Sequence, residues 1–174
     1  MTTLRVGVTG HRRIDDPRGV GAAVRDGLAR VRERFGVTKA TLLEAVSPLA
    51  EGADRIVARE VLETAGATLT VPLPFPADDY ATDFAAPGSK AEFEELFERA
   101  TRVEVMPAMA TRDEGYERVG RWVVEHSDVL LALWDGDASR GRGGTAATVA
   151  YARDRGLPIY WIRTTGGASV VTEL

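Results

Sequence analysis

A three-layer α/β fold around a doubly wound, mostly parallel sheet is predicted by three observations. Short β-branched runs alternate along the chain with segments of helical period, in the order β-α-β-α-β-α-β-α-β-α-β. Several of those runs are apolar without alternation, which marks strands covered on both faces, as in parallel sheets. Right-handed crossovers between successive parallel strands then place helices on both sides of one sheet.

The strand runs are residues 4–9, 41–46, 67–73, 102–106, 129–133 and 158–162. Runs 4–9 and 129–133 feed glycine turns and belong in the sheet interior. Between the first two strands, Val20, Val24, Leu28, Val31 and Phe35 recur at helical spacing after the cap-and-proline pair Asp16-Pro17. Residues 53–64 form the next helix, with Ile56, Val57 and Val61 inward and Gly66 as its stop. Ser89 and Glu92 have capping-box spacing ahead of Phe93, Leu96 and Phe97. A helix over 114–126 carries Tyr116, Val119, Val123 and Val124, and a last one carries Ala146, Val149 and Ala150. Residues 74–87 read as one long irregular stretch with Phe75, Asp78, Asp79, Tyr80 and Phe84, a length typical of lids and binding loops.

Composition narrows the function. With 174 residues, 44% of them hydrophobic, the chain suffices for one domain over residues 1–174 with a real core. Cysteine is absent, which excludes disulfides and thiolate metal sites, and two histidines, His11 and His126, are too few for a histidine-rich zinc site. No metal site and no resident cofactor are therefore expected; a metal would arrive with a ligand's phosphates. No run approaches the roughly 20 apolar residues of a membrane span, and the opening residues have no signal-peptide pattern, so a soluble cytoplasmic protein without a membrane partner is expected. The net charge of −4, with both signs mixed along the chain, argues against a nucleic-acid partner, which calls for a basic excess.

In an open parallel sheet the ligand lies beyond the carboxyl ends of the strands, so the turns leaving each strand are the ones to inspect. Three are distinctive. In the first, Gly10 follows the strand directly and lets the backbone approach a ligand, with His11 and Arg12 placed to meet an anion. In the second, Ser47 ends a strand and Gly52 opens a helix, offering hydroxyl and amide donors to phosphate; Asp54 either complements the helix dipole or joins the site. The third runs from Trp134-Asp135-Gly136 to Gly143-Gly144-Thr145 at a helix start. Its consecutive glycines expose amides and Thr145 adds a hydroxyl, which suits a phosphate. Asp135 either accepts ribose hydroxyls or starts an Asp-Gly turn. Neither a G-x-x-x-x-G-K-[ST] motif nor G-x-G-x-x-G after the first strand is present, which argues against an ordinary P-loop enzyme or dehydrogenase.

The residues of these turns resemble those of the SLOG superfamily, a Rossmann-like group that includes the Lonely Guy phosphoribohydrolases and the DNA-processing protein A family. The opening Val-Gly-Val-Thr-Gly-His-Arg resembles the TGHR start of an uncharacterised bacterial branch. Residues 47–54 resemble the serine-to-aspartate signature of the DNA-processing proteins, and Gly143-Gly144-Thr145 resembles the phosphate turn of the Lonely Guy enzymes. The resemblance implies a nucleotide or ADP-ribose-like ligand, often a dimer, and in some branches a sensor role in bacterial conflict systems. Two positions depart from the pattern. Thr148 stands where the phosphoribohydrolases carry a catalytic glutamate, and Pro48 where the DNA-processing proteins carry glycine.

Two functions follow. The leading one is a binding or sensing domain in which Gly10, Arg12, Ser47, Gly52, Gly143, Gly144 and Thr145 hold phosphate and ribose while residues 74–87 close over the base. The alternative is a nucleotide-processing hydrolase with Asp135, Asp54 or Glu51 as acid or base and Arg12 stabilising negative charge. A homodimer is expected from the resemblance and from the broad apolar face of the 114–126 helix, which includes Trp122.

Overall fold

The computed structural model of the chain describes residues 2–137 and 144–173, the last five by backbone alone. Seven strands form one sheet: β1 (Thr2–Gly10), β2 (Thr41–Val46), β3 (Thr68–Leu73), β4 (Arg102–Val105), β5 (Val129–Trp134), β6 (Ile159–Arg163) and β7 (Ser169–Glu173). Their order is β4-β3-β2-β1-β5-β6-β7. The first six run parallel, and β7, absent from the sequence reading, returns antiparallel on β6. The helices are α1 (Pro17–Arg34), α2 (Ala53–Leu62), α3 (Ala77–Tyr80), α4 (Ser89–Phe97), α5 (Arg112–Glu125) and α6 (Thr145–Asp154). This is the doubly wound three-layer α/β fold expected from the pattern.

The unbroken apolar runs now have a cause. Along β5, Val129, Leu131 and Leu133 enter a cluster with residues of α1, α2, α3 and α4, while Leu130 and Ala132 enter a second cluster with α5 and α6. Every residue of Val129 to Leu133 is fully buried, since a strand with helices on both faces has no side for water. β1 lies beside β5 in register, Val6 opposite Val129 and Gly10 opposite Leu133, so both predicted interior strands are central.

Helix starts were half legible. Asp16 caps α1 by accepting from the Gly19 amide at 3.0 Å, with Pro17 in the first turn, as its residues indicate. The capping box assigned to Ser89 and Glu92 does not form. The cap of α4 is Gly88, and the Ser89 hydroxyl is drawn instead to Glu51 and to the guanidinium of Arg55. A true capping box occurs at α5, where Thr111 and Glu114 exchange bonds at 3.2 Å in each direction. Phe35, counted among the inward residues of α1, is that helix's C-cap and is exposed.

Residues 74–87 are more ordered than their composition indicated, for they contain α3 and a 3-10 helix, Ala81–Asp83. Tyr80 and Phe84 pack edge-on at 4.9 Å, and both contact Phe93 of α4. Leu131 lies at the centre of the larger cluster and is fully buried. Leu131→Ala should therefore cost about 2 to 5 kcal/mol of unfolding free energy in urea titration, the range for an unfilled core cavity.

Candidate functional site

The strand order reverses between β1 and β5, which run parallel: strands β2 to β4 extend the sheet on one side of β1, and β5 to β7 on the other. Two crossovers diverge there, so a crevice is left beyond the strand ends. A cleft of about 390 Å³ occupies that position. Its floor is Thr9 and Gly10 of β1. Its walls are the His11–Arg12 turn, Asp54, Tyr80, the Tyr116–Val119–Gly120 face of α5, Asp135, and Gly144, Thr145 and Thr148 at the start of α6.

Of the residues singled out in the sequence, Gly10, His11, Arg12, Asp54, Asp135, Gly144 and Thr145 line this cleft. Gly143 lies outside the described residues. Ser47, Glu51 and Gly52 do not line it. The Ser47 hydroxyl is fully buried, donating to the Asp54 carbonyl at 3.1 Å and accepting from the Leu49 amide at 3.2 Å. Those bonds shape a turn in which Leu49 takes a φ of 59°. Glu51 accepts from Ser89.

Gly52, at φ 78°, has a different reason to be glycine. A Cβ there would lie 2.3 Å from the Arg12 carbonyl oxygen and 2.5 Å from that of His11. The first turn of the chain thus rests directly on the start of α2, and the Ala53 amide donates to the His11 carbonyl at 3.0 Å. Gly10 is equally confined, since a Cβ would meet Ala53 Cβ at 2.4 Å and the Leu133 carbonyl at 2.6 Å.

The contact delivers Asp54 to the cleft. Its Oδ2 accepts from the Ala50 amide at 3.1 Å, and the side chain is almost wholly buried. Burial pushes its pKa up to about 7, against the smaller opposing pull of the Ala50 amide, Arg12 and Arg55. Arg12 packs its guanidinium 5.2 Å from the centre of the Tyr116 ring. Burial disfavours its charge, but the hydrogen bond to Tyr116 and neighbouring acidic groups outweigh that, so Arg12 remains a cation. The Tyr80 hydroxyl is held neutral by burial first and by Asp54 second.

Across the floor, His11 Nε2 stands 3.1 Å from Asp135 Oδ1 and 3.2 Å from the Asp135 amide nitrogen. The amide bond needs a bare Nε2 and a bond to the carboxylate needs a hydrogen there, so one tautomer of the ring makes only one of the two contacts. Asp135 Oδ1 also accepts from the Asp137 amide at 2.9 Å, with Gly136 at φ 94°, which is the Asp-Gly turn foreseen for this dipeptide.

The start of α6 forms the opposite wall. Its cap, Gly144, has extended backbone at φ −74° and ψ 168°, supplies no capping side chain, and is followed by a first turn without acidic residues. The first-turn amides of α6 therefore face the cleft without a carboxylate of their own helix beside them. A Cβ on Gly120 of α5 would meet Thr148 Oγ1 at 2.9 Å, so a small residue there lets α6 approach α5.

Tyr80 lies in the 74–87 stretch expected to cover the ligand, whereas Tyr116 and Gly120 were missed as site residues, because helical spacing made Tyr116 a core position and nothing local marked Gly120. Tyr116 donates to Asp83, and Arg112 bridges Asp79 and Asp83 at 2.8 Å each while lying 4.1 Å above the Phe75 ring. This clamp fastens residues 74–87 to α5.

Among the described residues no group of three or more histidine, cysteine, aspartate or glutamate side chains could hold a metal ion, and no helix is long and apolar enough to cross a membrane. No family model matches the chain, and no curated protein matches it.

The Asp54 carboxyl gives a pH test with a definite sign. Its folded-state pKa lies above its ordinary 3.8, so the native state binds the extra proton and this group's stability contribution is lost as pH rises from about 4 to about 7. Asp54→Asn keeps the acceptor for Ala50 and cannot ionise. In urea titrations the variant should gain on the parent across that window, by an amount on the order of 4 kcal/mol at most. A difference between the two that does not change with pH would show that Asp54 ionises freely.

Proposed function

We propose that the chain is a binding or sensing domain for a nucleotide or a nucleotide-derived, ADP-ribose-like phosphate ligand, the function implied by its resemblance to the SLOG superfamily. One observation carries this reading: the start of α6, without a capping side chain, and the cation Arg12 face one cleft at the switch point of the sheet. A phosphate at the α6 amides would meet aligned backbone donors and the favourable end of the helix dipole, with Thr145 adding a hydroxyl. Asp135 is the acceptor for ribose hydroxyls, and Tyr116 offers aromatic surface to a base. Ser47 and Gly52 serve this site indirectly, by building the turn that carries Asp54. Nucleic acid remains outside the proposal, since the net charge of −4 offers no counterion-release term.

A hydrolase is the second reading, and the position of Asp54 favours it. A carboxyl on the cleft wall that changes charge near pH 7 is suited to give or take a proton. Thr148, where the phosphoribohydrolase pattern has glutamate, supplies no acid. Incubation with nucleoside monophosphates and ADP-ribose followed by chromatography separates the readings: released base or phosphate selects the enzyme, and intact ligand selects the binder.

Binding is tested by thermal-shift screening of a nucleotide panel, then calorimetry with the best compound. Valine fits the extended backbone of Gly144, so Gly144→Val should fold normally and abolish binding by crowding the anion. Thr145→Ala and Arg12→Ala should each lose about 1.5 to 3 kcal/mol of binding free energy, the range for a hydrogen bond to a charged group. A Gly144→Val protein that binds like the parent overturns the phosphate position.

A further inference from the structure

β4 is an edge of the sheet, and its ladder neighbour is β3. Leu73 is in register with Val105, and its carbonyl accepts from the Met106 amide at 2.8 Å. Residues 102, 104 and 106 therefore turn their peptide groups toward β3, and Val103 and Val105 turn theirs outward. The strand, Arg-Val-Glu-Val, is short and carries two charges, but it has no proline and its ladder with β3 runs without a register shift, so its outward peptide groups stay in position to pair. Val103 is 42% exposed and Val105 48%, and with Met109 they make three of the four exposed large hydrophobic residues among those described.

The apolar face of α5, expected to mediate a dimer, is used within the fold. Val123 and Val124 join the cluster beneath α6, Val119 is buried on the cleft wall, and Trp122 packs against the same cluster while stacking on His126 at 3.7 Å. Exposed apolar surface is concentrated instead at β4 and the segment after it, where residues 107–111 are all exposed.

The charges on β4 select a partner and a register. If a second copy of the strand approaches antiparallel, the two-fold axis must pass at a residue, because outward-facing peptide groups have to meet outward-facing ones. An axis at Arg102 or Glu104 sets that side chain against itself, which is repulsive. An axis at Val105 sets Glu104 against Met106. Only an axis at Val103 sets Arg102 opposite Glu104 of the second copy, and by symmetry does so twice. Within one chain these two side chains already pair along the strand, Arg102 Nε to Glu104 Oε1 at 2.8 Å, so they lie on one face and can exchange partners across the axis.

We propose that β4 pairs antiparallel with β4 of a second copy of this chain about a two-fold axis at Val103, joining two sheets into one continuous sheet. The two Val103 residues exchange both N–H···O=C bonds, and the Arg102–Glu104 pairs take the adjacent positions where side chains stand closest. Four residues bury too little area for a stable dimer by themselves, and the exposed 107–111 segment with Met109 supplies the remaining contact.

The chain contains no cysteine, so an introduced one is the only thiol. In this register the two Val103 Cα atoms lie about 5.5 Å apart, inside the disulfide range. Val103→Cys should cross-link to a covalent dimer under mild oxidation, and Val105→Cys, displaced from the axis, should not. Sedimentation of the unmodified chain should show dimer at micromolar concentration. Arg102→Glu or Glu104→Arg alone should weaken it about tenfold, and the double reversal should restore it. A monomer at all concentrations overturns the proposal, as does a dimer indifferent to both reversals or one cross-linked equally through either cysteine.

Discussion

Everything at the cleft depends on a backbone contact that leaves no room for a side chain. The carbonyls of His11 and Arg12 lie against Gly52, and the Ala53 amide closes the contact with a hydrogen bond to His11. Two crossover segments that are remote in sequence are locked together at that point. One consequence is that Arg12 and Asp54 share a cavity. Another is that the start of α2, whose amides would otherwise attract an anion, is occupied by the protein's own carbonyl. The other helix start on the cleft wall, that of α6, has no capping side chain.

A second buried cation shapes the other side of α2. Arg55 is 1% exposed, donating to the Leu49 carbonyl at 3.0 Å, the Ser89 carbonyl at 2.9 Å and Glu92 at 2.7 Å, with its guanidinium 4.6 Å from the Phe84 ring. A buried charge needs most of its donors engaged, and here Nε and Nη1 recruit the Ser47–Gly52 turn and α4 while the ring of Phe84 covers the guanidinium; Nη2 is buried without a hydrogen-bond partner among the described residues. This explains why Ser89 and Glu92 abandon the capping box that their spacing suggests. Adjacent residues of one helix thus do different work: Asp54 faces the cleft, and Arg55 binds together the elements behind it.

The fold was legible because its signals are redundant. The 129–133 run is too apolar for any strand but one covered on both faces, and Asp16-Pro17 admits few readings other than a helix start. Half of the candidate site was legible for the same reason, since Gly10, Asp135 and Gly144 follow strand ends, which a parallel sheet gathers at one edge. Tyr116 and Gly120 were not, because they reach the cleft through packing between elements far apart in the chain. Ser47 and Gly52 illustrate the opposite failure: their residue types suit phosphate, but only three-dimensional contact reveals that a hydroxyl is already engaged and a glycine already pressed. The strand β7 went unread although Gly166-Gly167, both at positive φ, is the turn that returns the chain antiparallel on β6.

The clamp of Arg112 on Asp79 and Asp83 bears on the thermodynamics of whatever enters the cleft. Tyr80 is seated on the wall by its own packing, and the residues around it are tied to α5 by two ion pairs and a tyrosine hydroxyl. A covering segment that is ordered in advance loses little conformational entropy when the cleft fills. Association would then carry the enthalpic signature of a preformed receptor, without the heat-capacity change of a segment folding onto its ligand. Raised salt would weaken the exposed ion pairs, while Tyr80, Ala81 and Phe84, buried in the core cluster, hold the segment in place.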